Sequence, residues 1–187
     1  AACAGYDVTM IDIEQSFVDR GMSSIESSLS KLVSKDRMSK EDAESALSRV
    51  HASTMKESAS ECDLVIEAIP EIPNLKFSTF SELDEICKQD AILASNTSSI
   101  SIDDIAASTN RPDRVIGMHF MNPVPIMKLV EIINGTQTAN EVNAAVVEAA
   151  ERMGKTALSC NDSPGFVSNR ILCPMLNEAI LTLQEGV

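Results

Sequence analysis

The sequence predicts an α/β fold built on a doubly wound parallel sheet. Continuous apolar runs of strand length occur at residues 62–69 and 91–95, which is typical of strands that are covered on both faces. Segments with the periodicity of amphipathic helices alternate with these runs along the chain. Strands that alternate with helices through right-handed crossovers favour a parallel sheet with helices on both sides.

Each predicted element follows from a local pattern of apolar residues and turn signals. Ser39 has the position of an N-cap for the second helix. The first long helix is expected to bury a stripe that includes Phe17, Ile25, Leu29 and Leu32. The predicted strands lie at residues 6–11, 50–53, 62–69, 91–95, 114–118, 129–133 and 156–159. The predicted helices lie at residues 14–33, 39–49, 74–88, 102–108, 141–153 and 166–185.

Composition excludes several classes of function. Apolar residues make up 44% of the chain and charged residues 23%, as in ordinary globular proteins. No apolar run approaches the ~20 residues that a membrane span requires, so no membrane partner is expected. The formal net charge of -13 argues against nucleic acid as a partner, because such binding needs a basic surface. An anionic ligand therefore has to be met by local lysines or helix N-termini.

The cysteines and histidines argue against disulfides and metal sites. Five cysteines are scattered along the chain without a CxxC pair, which fits a reduced, cytoplasmic compartment. An organellar matrix stays open as the alternative, because the sequence does not begin with methionine. The two histidines are too far apart in the sequence to suggest a metal site.

Four polar residues follow predicted strands, namely Asp12, Glu71, Ser98 and His119. The carboxyl ends of parallel strands meet at one edge of a sheet, where ligands bind in doubly wound folds. A single crevice is therefore predicted to gather these four side chains.

Asp12 has the position of a ribose-binding carboxylate. In a dinucleotide-binding unit, an acidic residue at the end of the second strand accepts hydrogen bonds from the adenosine ribose, and its charge repels a 2′-phosphate. The glycine-rich turn that should precede it by about 20 residues is not in the sequence. The alternative interpretation is an N-cap for the following helix.

The segment at residues 115–131, VIGMHFMNPVPIMKLVE, suggests acid/base chemistry. His119 stands at the exit of a strand, and Glu131 follows it by twelve residues. A carboxylate that accepts from one ring nitrogen fixes the tautomer, which leaves the other nitrogen free to take a proton. A packed histidine and a surface glutamate are the alternative.

Other polar residues are candidates for substrate contacts. Ser98 could hydrogen-bond a substrate oxygen, or it could cap the helix that begins near Ile102. The side-chain amide of Asn169 either faces the crevice or is solvated. Ser28 and Lys35 are seven residues apart, so they are expected on one face of a helix. At this position Lys35 would either bind a phosphate group or be solvated.

Four stretches together resemble the L-3-hydroxyacyl-CoA dehydrogenases, a family that includes 3-hydroxybutyryl-CoA dehydrogenases. They are DLVIEAIPE (63–71), ASNTSSI (94–100), GMHFMNPVPIMKLVEII (117–133) and DSPGFVSNRIL (162–172). The likeness extends over nearly the whole chain. It implies NAD-dependent oxidation of (S)-3-hydroxyacyl-CoA to 3-oxoacyl-CoA, or the reverse.

The resemblance also implies a role for each candidate residue. His119 would be the general base, oriented by Glu131, while Ser98 and Asn169 would hold the substrate. The positions that match the family's NAD contacts are Asp12, Glu71, Lys76, Ser98 and Asn122. Ser28 and Lys35 match its contacts to coenzyme A, and no metal is implied.

The sequence departs from the family pattern at both ends. We expect a Rossmann-type NAD-binding domain at residues 1–163 that lacks its first strand, followed by the first helix of an all-α C-terminal domain at residues 164–187. The complete parent is expected to be a homodimer, and the chain as given is expected to bind NAD poorly and to be inactive.

Two alternative functions stay open at this point. One is a non-catalytic, crystallin-like structural relative, and the other is a dehydrogenase of a free hydroxy acid such as gulonate. The joint presence of His119, Glu131, Ser98 and Asn169 favours the enzyme, because a structural protein has no physical need of all four.

Overall fold

The computed structural model describes residues 1–187 and contains seven β-strands and six α-helices. The strands are β1 (Val8–Ile11), β2 (Val50–Ser53), β3 (Leu64–Glu67), β4 (Ile92–Ser95), β5 (Val115–Phe120), β6 (Leu129–Asn134) and β7 (Thr156–Asn161). The helices are α1 (Gln15–Val33), α2 (Lys40–Ser48), α3 (Pro73–Ile86), α4 (Ile102–Ala106), α5 (Asn140–Arg152) and α6 (Ser168–Gln184). Every predicted element is present, with shifts of a few residues at its ends.

The strands form two sheets. Five of them pair in the order β3-β4-β5-β6-β7, and β1 pairs with β2 in a separate parallel sheet. Strand β5 runs antiparallel to β6, whereas the other pairings are parallel. The predicted parallel sheet is therefore found in every pairing except that of β5 with β6. The connection between β5 and β6 contains no helix, so the chain turns back and β6 runs in the opposite direction.

Buried apolar side chains form a hydrophobic core on each face of the five-stranded sheet. One cluster packs α3 and α4 against the sheet around Phe80, Leu93 and Ile105. The other packs α5 against the opposite face around Ile116, Val130 and Val146. Helices on both faces explain why the central strands are continuous apolar runs. This arrangement confirms the doubly wound α/β architecture.

Two predictions about burial need correction. Strand β3 is shorter than predicted and only partly covered, with Ile66 36% exposed, because β3 lies at the edge of the five-stranded sheet. In α1 the buried residues are Val18 and Leu29, while Phe17 is exposed and Ile25 and Leu32 are only half-buried. Val18 and Leu29 are eleven residues apart, about three helical turns, so they lie on one face.

Helix α6 extends from the body with no buried residue. Its exposed apolar side chains are Ile171, Leu172, Met175, Leu176, Ile180, Leu181 and Leu183. None of the helices combines the length and the apolar character that a membrane crossing requires.

Candidate active site

His119 and Glu131 are direct cross-strand neighbours on β5 and β6. Nδ1 of His119 lies 2.8 Å from Oε2 of Glu131, and the two side chains are 11% and 0% exposed. The hydrogen bond fixes the neutral imidazole in the tautomer that carries its proton on Nδ1, since a carboxylate can only accept. The sequence prediction that the two residues form a pair agrees with this geometry.

Glu131 is also held from a second direction. Its Oε1 accepts hydrogen bonds from the backbone N–H groups of Val167 (3.1 Å) and Ser168 (2.7 Å), where α6 begins. Burial acts to raise the pKa of Glu131, but the hydrogen bonds from Ser168, His119 and Val167 outweigh it and leave the pKa below its ordinary value. The carboxylate is therefore ionised beside the imidazole at neutral pH.

The Nε2 atom of His119 is the one ring nitrogen without a partner in the chain, since Nδ1 makes its only hydrogen bond. No buried polar side-chain atom lacks a hydrogen bond, so Nε2 is accessible from outside. The ring of Phe166 packs edge-on against the imidazole, with centroids 5.9 Å apart and planes inclined by 61°. An oriented imidazole with one free nitrogen has the arrangement of a general base.

Glu71 is the centre of a second polar cluster, at the carboxyl ends of β3 and β4. Its Oε1 accepts from the hydroxyl of Thr97 and from the backbone N–H groups of Ser98 (3.0 Å) and Ser99 (3.2 Å). Burial acts to raise the pKa of Glu71, but these hydrogen bonds and the nearby Lys76 ammonium lower it to about 2. An ionised Glu71 thus fixes the backbone that carries Ser98.

Lys76 lies among three acceptor groups of the chain. Its Nζ lies 2.7 Å from Oε1 of Glu67, 3.2 Å from Oε2 of Glu71 and 3.2 Å from the carbonyl oxygen of Ile69. The contacts to Glu67 and Ile69 are hydrogen bonds, and the contact to Glu71 is an ion pair. The side chain is 1% exposed. The structure therefore pairs Lys76 with Glu67 and Glu71, and the direct NAD contact expected for Lys76 stays a prediction.

Asn96 connects the Glu71 cluster to the His119–Glu131 pair. Its Oδ1 accepts a hydrogen bond from the backbone N–H of Phe120 (2.8 Å). This bond connects the loop after β4, which carries Ser98, to the end of β5, which carries His119. Ser98 is half-buried and Asn169, in the first turn of α6, is also half-buried. Ser98, His119 and Glu71 thus lie on neighbouring strand ends, as predicted.

The remaining predicted residues lie on the surface. Asp12 follows β1 in the smaller sheet, and its exposed carboxylate accepts only from the N–H of Ile13 (2.7 Å). Asn122 is exposed in the loop between β5 and β6, next to a cis peptide bond to Pro123. Ser28 is exposed on α1, but Lys35 lies in the turn after Val33, where α1 ends. Lys35 therefore lies just outside the helix that carries Ser28.

Sequence reasoning missed three residues that shape the site. Glu67 is a buried carboxylate at the end of an apolar strand, and its Oε2 also accepts from Ser95 (2.7 Å). The signal was a single charge inside the apolar run LVIEAI, because a buried charge requires a partner. Phe166 and Asn96 carried no comparable signal, since their roles depend on contacts between distant segments. No cluster of side chains in the chain has the composition of a metal site.

Comparison with known proteins identifies the family. Residues 1–163 match the family model described as "3-hydroxyacyl-CoA dehydrogenase, NAD binding domain". The chain is 53% identical over 187 residues to a probable 3-hydroxybutyryl-CoA dehydrogenase of Deinococcus radiodurans and 49% identical to one of Bacillus subtilis. All of the chain aligns, and it covers 67% and 65% of these relatives.

A solved structure gives the same result. The (S)-3-hydroxybutyryl-CoA dehydrogenase of Ralstonia eutropha superposes with a TM-score of 0.97 at 46% identity, over 99% of this chain and 65% of that one. The chain thus spans about two thirds of the length of the relatives it matches. It belongs to the 3-hydroxyacyl-CoA dehydrogenase family and contains the family's NAD-binding domain.

Proposed function

We propose that the full-length protein containing this chain interconverts (S)-3-hydroxyacyl-CoA and 3-oxoacyl-CoA with NAD. The observation that carries the proposal is the buried His119–Glu131 pair, in which Nε2 alone is free. The names of the Deinococcus and Bacillus relatives support a short acyl chain such as 3-hydroxybutyryl-CoA.

In the oxidation, Nε2 of His119 accepts the proton of the substrate's 3-hydroxyl group. The resulting imidazolium donates from Nδ1 to Glu131, whose negative charge lies 2.8 Å away and stabilises it. In the reverse direction the imidazolium returns the proton to the 3-oxo group. A nicotinamide bound beside C3 would accept the hydride from that carbon in the oxidation and would return it in the reduction.

The residues at the strand ends fit a dinucleotide. Asp12 has free acceptor oxygens for ribose hydroxyls, and the exposed side chain of Asn122 has both donors and acceptors. Glu71 is 38% exposed, so it has an accessible edge beside Ser98. Lys76 is assigned a supporting role, because its ammonium is buried against Glu67 and Glu71. We assign NAD binding to Asp12, Glu71, Ser98 and Asn122.

The substrate would be held by residues on three segments. Ser98 and Asn169 are assigned to the reacting oxygen and the thioester, and Ser28 and Lys35 to the coenzyme A part. Residues 164–187 would begin a helical domain that completes the substrate site and forms a homodimer. The exposed apolar side chains of α6 support this assignment, because a helix of this kind needs an apolar partner. A cytoplasmic location is part of the proposal.

The test is the substitution His119→Gln in the full-length protein, assayed with NADH and acetoacetyl-CoA. Glutamine can still donate to Glu131 but cannot take up a proton, so kcat should fall by roughly 10²–10⁴-fold. The matched control is His51→Gln, because His51 is the other histidine of the chain and is exposed. It should keep wild-type kcat. Equal turnover in wild type and His119→Gln would refute the assignment of the base.

A further inference from the structure

The carboxylate of Glu131 joins two segments of the chain. One oxygen faces His119 on β5, and the other accepts the backbone N–H groups of Val167 and Ser168 at the start of α6. The side chain is completely buried. Rotation of the carboxylate toward the solvent would therefore break three hydrogen bonds at once.

The turn before α6 is shaped by two consecutive residues in the left-handed region. Gly165 has φ +78° and Phe166 has φ +50°. The turn is closed by bonds from the N–H of Phe166 to Ser163 (2.9 Å) and from the N–H of Arg170 to the carbonyl of Gly165 (3.0 Å). For a bulky residue such as Phe166 this conformation is unfavourable and requires support from its surroundings.

The same turn contacts both members of the pair. The backbone of Val167 and Ser168 holds Glu131, and the ring of Phe166, which is 4% exposed, packs edge-on against the imidazole of His119. We propose that the Gly165–Ser168 turn is a positioning element of the reaction, which sets the orientation of the Glu131 carboxylate and through it the tautomer of His119. Only the expected change in kcat rests on the proposed function, whereas the expected change in the tautomer of His119 does not.

A purely structural explanation competes with this one. Glu131 could serve only to cap α6, since carboxylates are favourable at helix N-termini and satisfy unpaired N–H groups. In that case, disturbing the turn would weaken α6 and leave the imidazole as it is. The two explanations are therefore separated by a measurement on His119 itself.

The experiment compares Gly165→Ala with Gly154→Ala in the full-length protein. Both glycines have φ near +75°, so both substitutions introduce the same kind of backbone strain. A Cβ at Gly165 would lie 3.1 Å from the backbone nitrogen of Arg170, whereas a Cβ at Gly154 would meet nothing within 4 Å. Only the first substitution should shift the turn, and Gly154→Ala is thus the matched control.

The readout is the pair of ¹⁵N chemical shifts of the His119 ring at a pH where the ring is neutral. The exposed His51 provides an internal reference in the same spectrum. We expect Gly165→Ala to lose the preference for the proton on Nδ1 and to lower kcat by about tenfold or more, with little change in the KM for NAD. Gly154→Ala should match the wild type in both. An unchanged tautomer in folded Gly165→Ala would overturn the proposal.

A second variant covers the case in which Gly165→Ala does not fold. The backbone N–H of Ser168 is replaced by an ester oxygen through incorporation of the corresponding α-hydroxy acid. As the first residue of α6, Ser168 uses this N–H for Glu131 and not for a bond within the helix. The same tautomer change is expected, and its absence would overturn the proposal. If the full-length wild type had no dehydrogenase activity, the proposed function would fail, while the tautomer measurement would still decide this inference.

Discussion

The His119–Glu131 pair and the Glu67–Lys76–Glu71 cluster both contain a fully or almost fully buried glutamate that is bonded to a basic side chain. They differ in the polar atoms that they leave free. In the first, Nε2 of His119 has no partner in the chain. In the second, Nζ of Lys76 contacts Glu67, Glu71 and the carbonyl oxygen of Ile69, and Glu67 accepts from the backbone N–H of Ile69 as well as from two side chains.

This difference separates chemistry from positioning. A buried group with one free atom can exchange a proton with a ligand, while its other contacts fix its orientation. A buried group with every atom satisfied stabilises the surrounding structure and cannot contact a ligand without losing a bond. Substitutions at Lys76, Glu71 and Asp12 test this distinction through the free energy of unfolding and the coenzyme kinetics.

The substitution Lys76→Met should cause the largest loss of stability. It leaves Glu67 buried without its ion partner, so the free energy of unfolding should fall by about 3–5 kcal/mol. Urea denaturation of the full-length protein measures this loss. In the double variant Glu67→Gln/Lys76→Met the unpaired charge is gone, and much of the stability should return. A small stability loss combined with a selective loss of NAD affinity would instead make Lys76 a cofactor contact.

The substitution Glu71→Gln should alter the response to acid. The pKa of Glu71 is lowered to about 2, so its stabilising contribution is complete above the ordinary value of 4.5 and disappears as the pH falls toward 2. Wild-type stability should therefore decrease over this interval more steeply than that of the variant. Because the side chain is 38% exposed, solvent screening limits the difference to on the order of 1 kcal/mol. Parallel acid denaturation curves for the two proteins would contradict this prediction.

The substitution Asp12→Ala should have the smallest effect on stability and a clear effect on coenzyme binding. The exposed carboxylate bonds only to the neighbouring Ile13, so the free energy of unfolding should change by less than about 0.5 kcal/mol. Loss of a charged acceptor for the ribose should raise the KM for NAD by about tenfold and reduce discrimination against NADP. The control is Asp7→Ala, an exposed carboxylate before the same strand. Equal coenzyme kinetics in both variants would remove Asp12 from the NAD site.

The positions of the strands and helices were predictable from the sequence, whereas the direction of β6 in the sheet was not. Apolar runs and helical periodicity depend on local burial, and they locate every strand and helix to within a few residues. The direction of β6 depends on the path of the chain between β5 and β6, which the apolar pattern of a strand does not encode. The partial exposure of β3 likewise depends on which strands lie beside it.

The candidate site was predictable where one short segment contains both partners. His119 and Glu131 lie in the same hairpin, so a histidine and a carboxylate twelve residues apart were sufficient to suggest the pair. The amides of Val167 and Ser168 were not predictable, because backbone groups carry no sequence signal. The burial of Lys76 against Glu67 and Glu71 was not predictable for a related reason, since it depends on contacts that form only in three dimensions.

The antiparallel pairing of β5 and β6 has a consequence for how this site can vary. His119 and Glu131 are opposite each other in the register of the hairpin, so their separation is set by the sheet and is independent of the loop at residues 121–128. Insertions or deletions in that loop can remodel the region around Asn122 while the acid/base pair keeps its geometry. A slip of one residue in the strand pairing would instead turn one partner to the opposite face of the sheet. The length of this loop can therefore change during evolution or engineering without affecting proton transfer. A change in the strand register cannot.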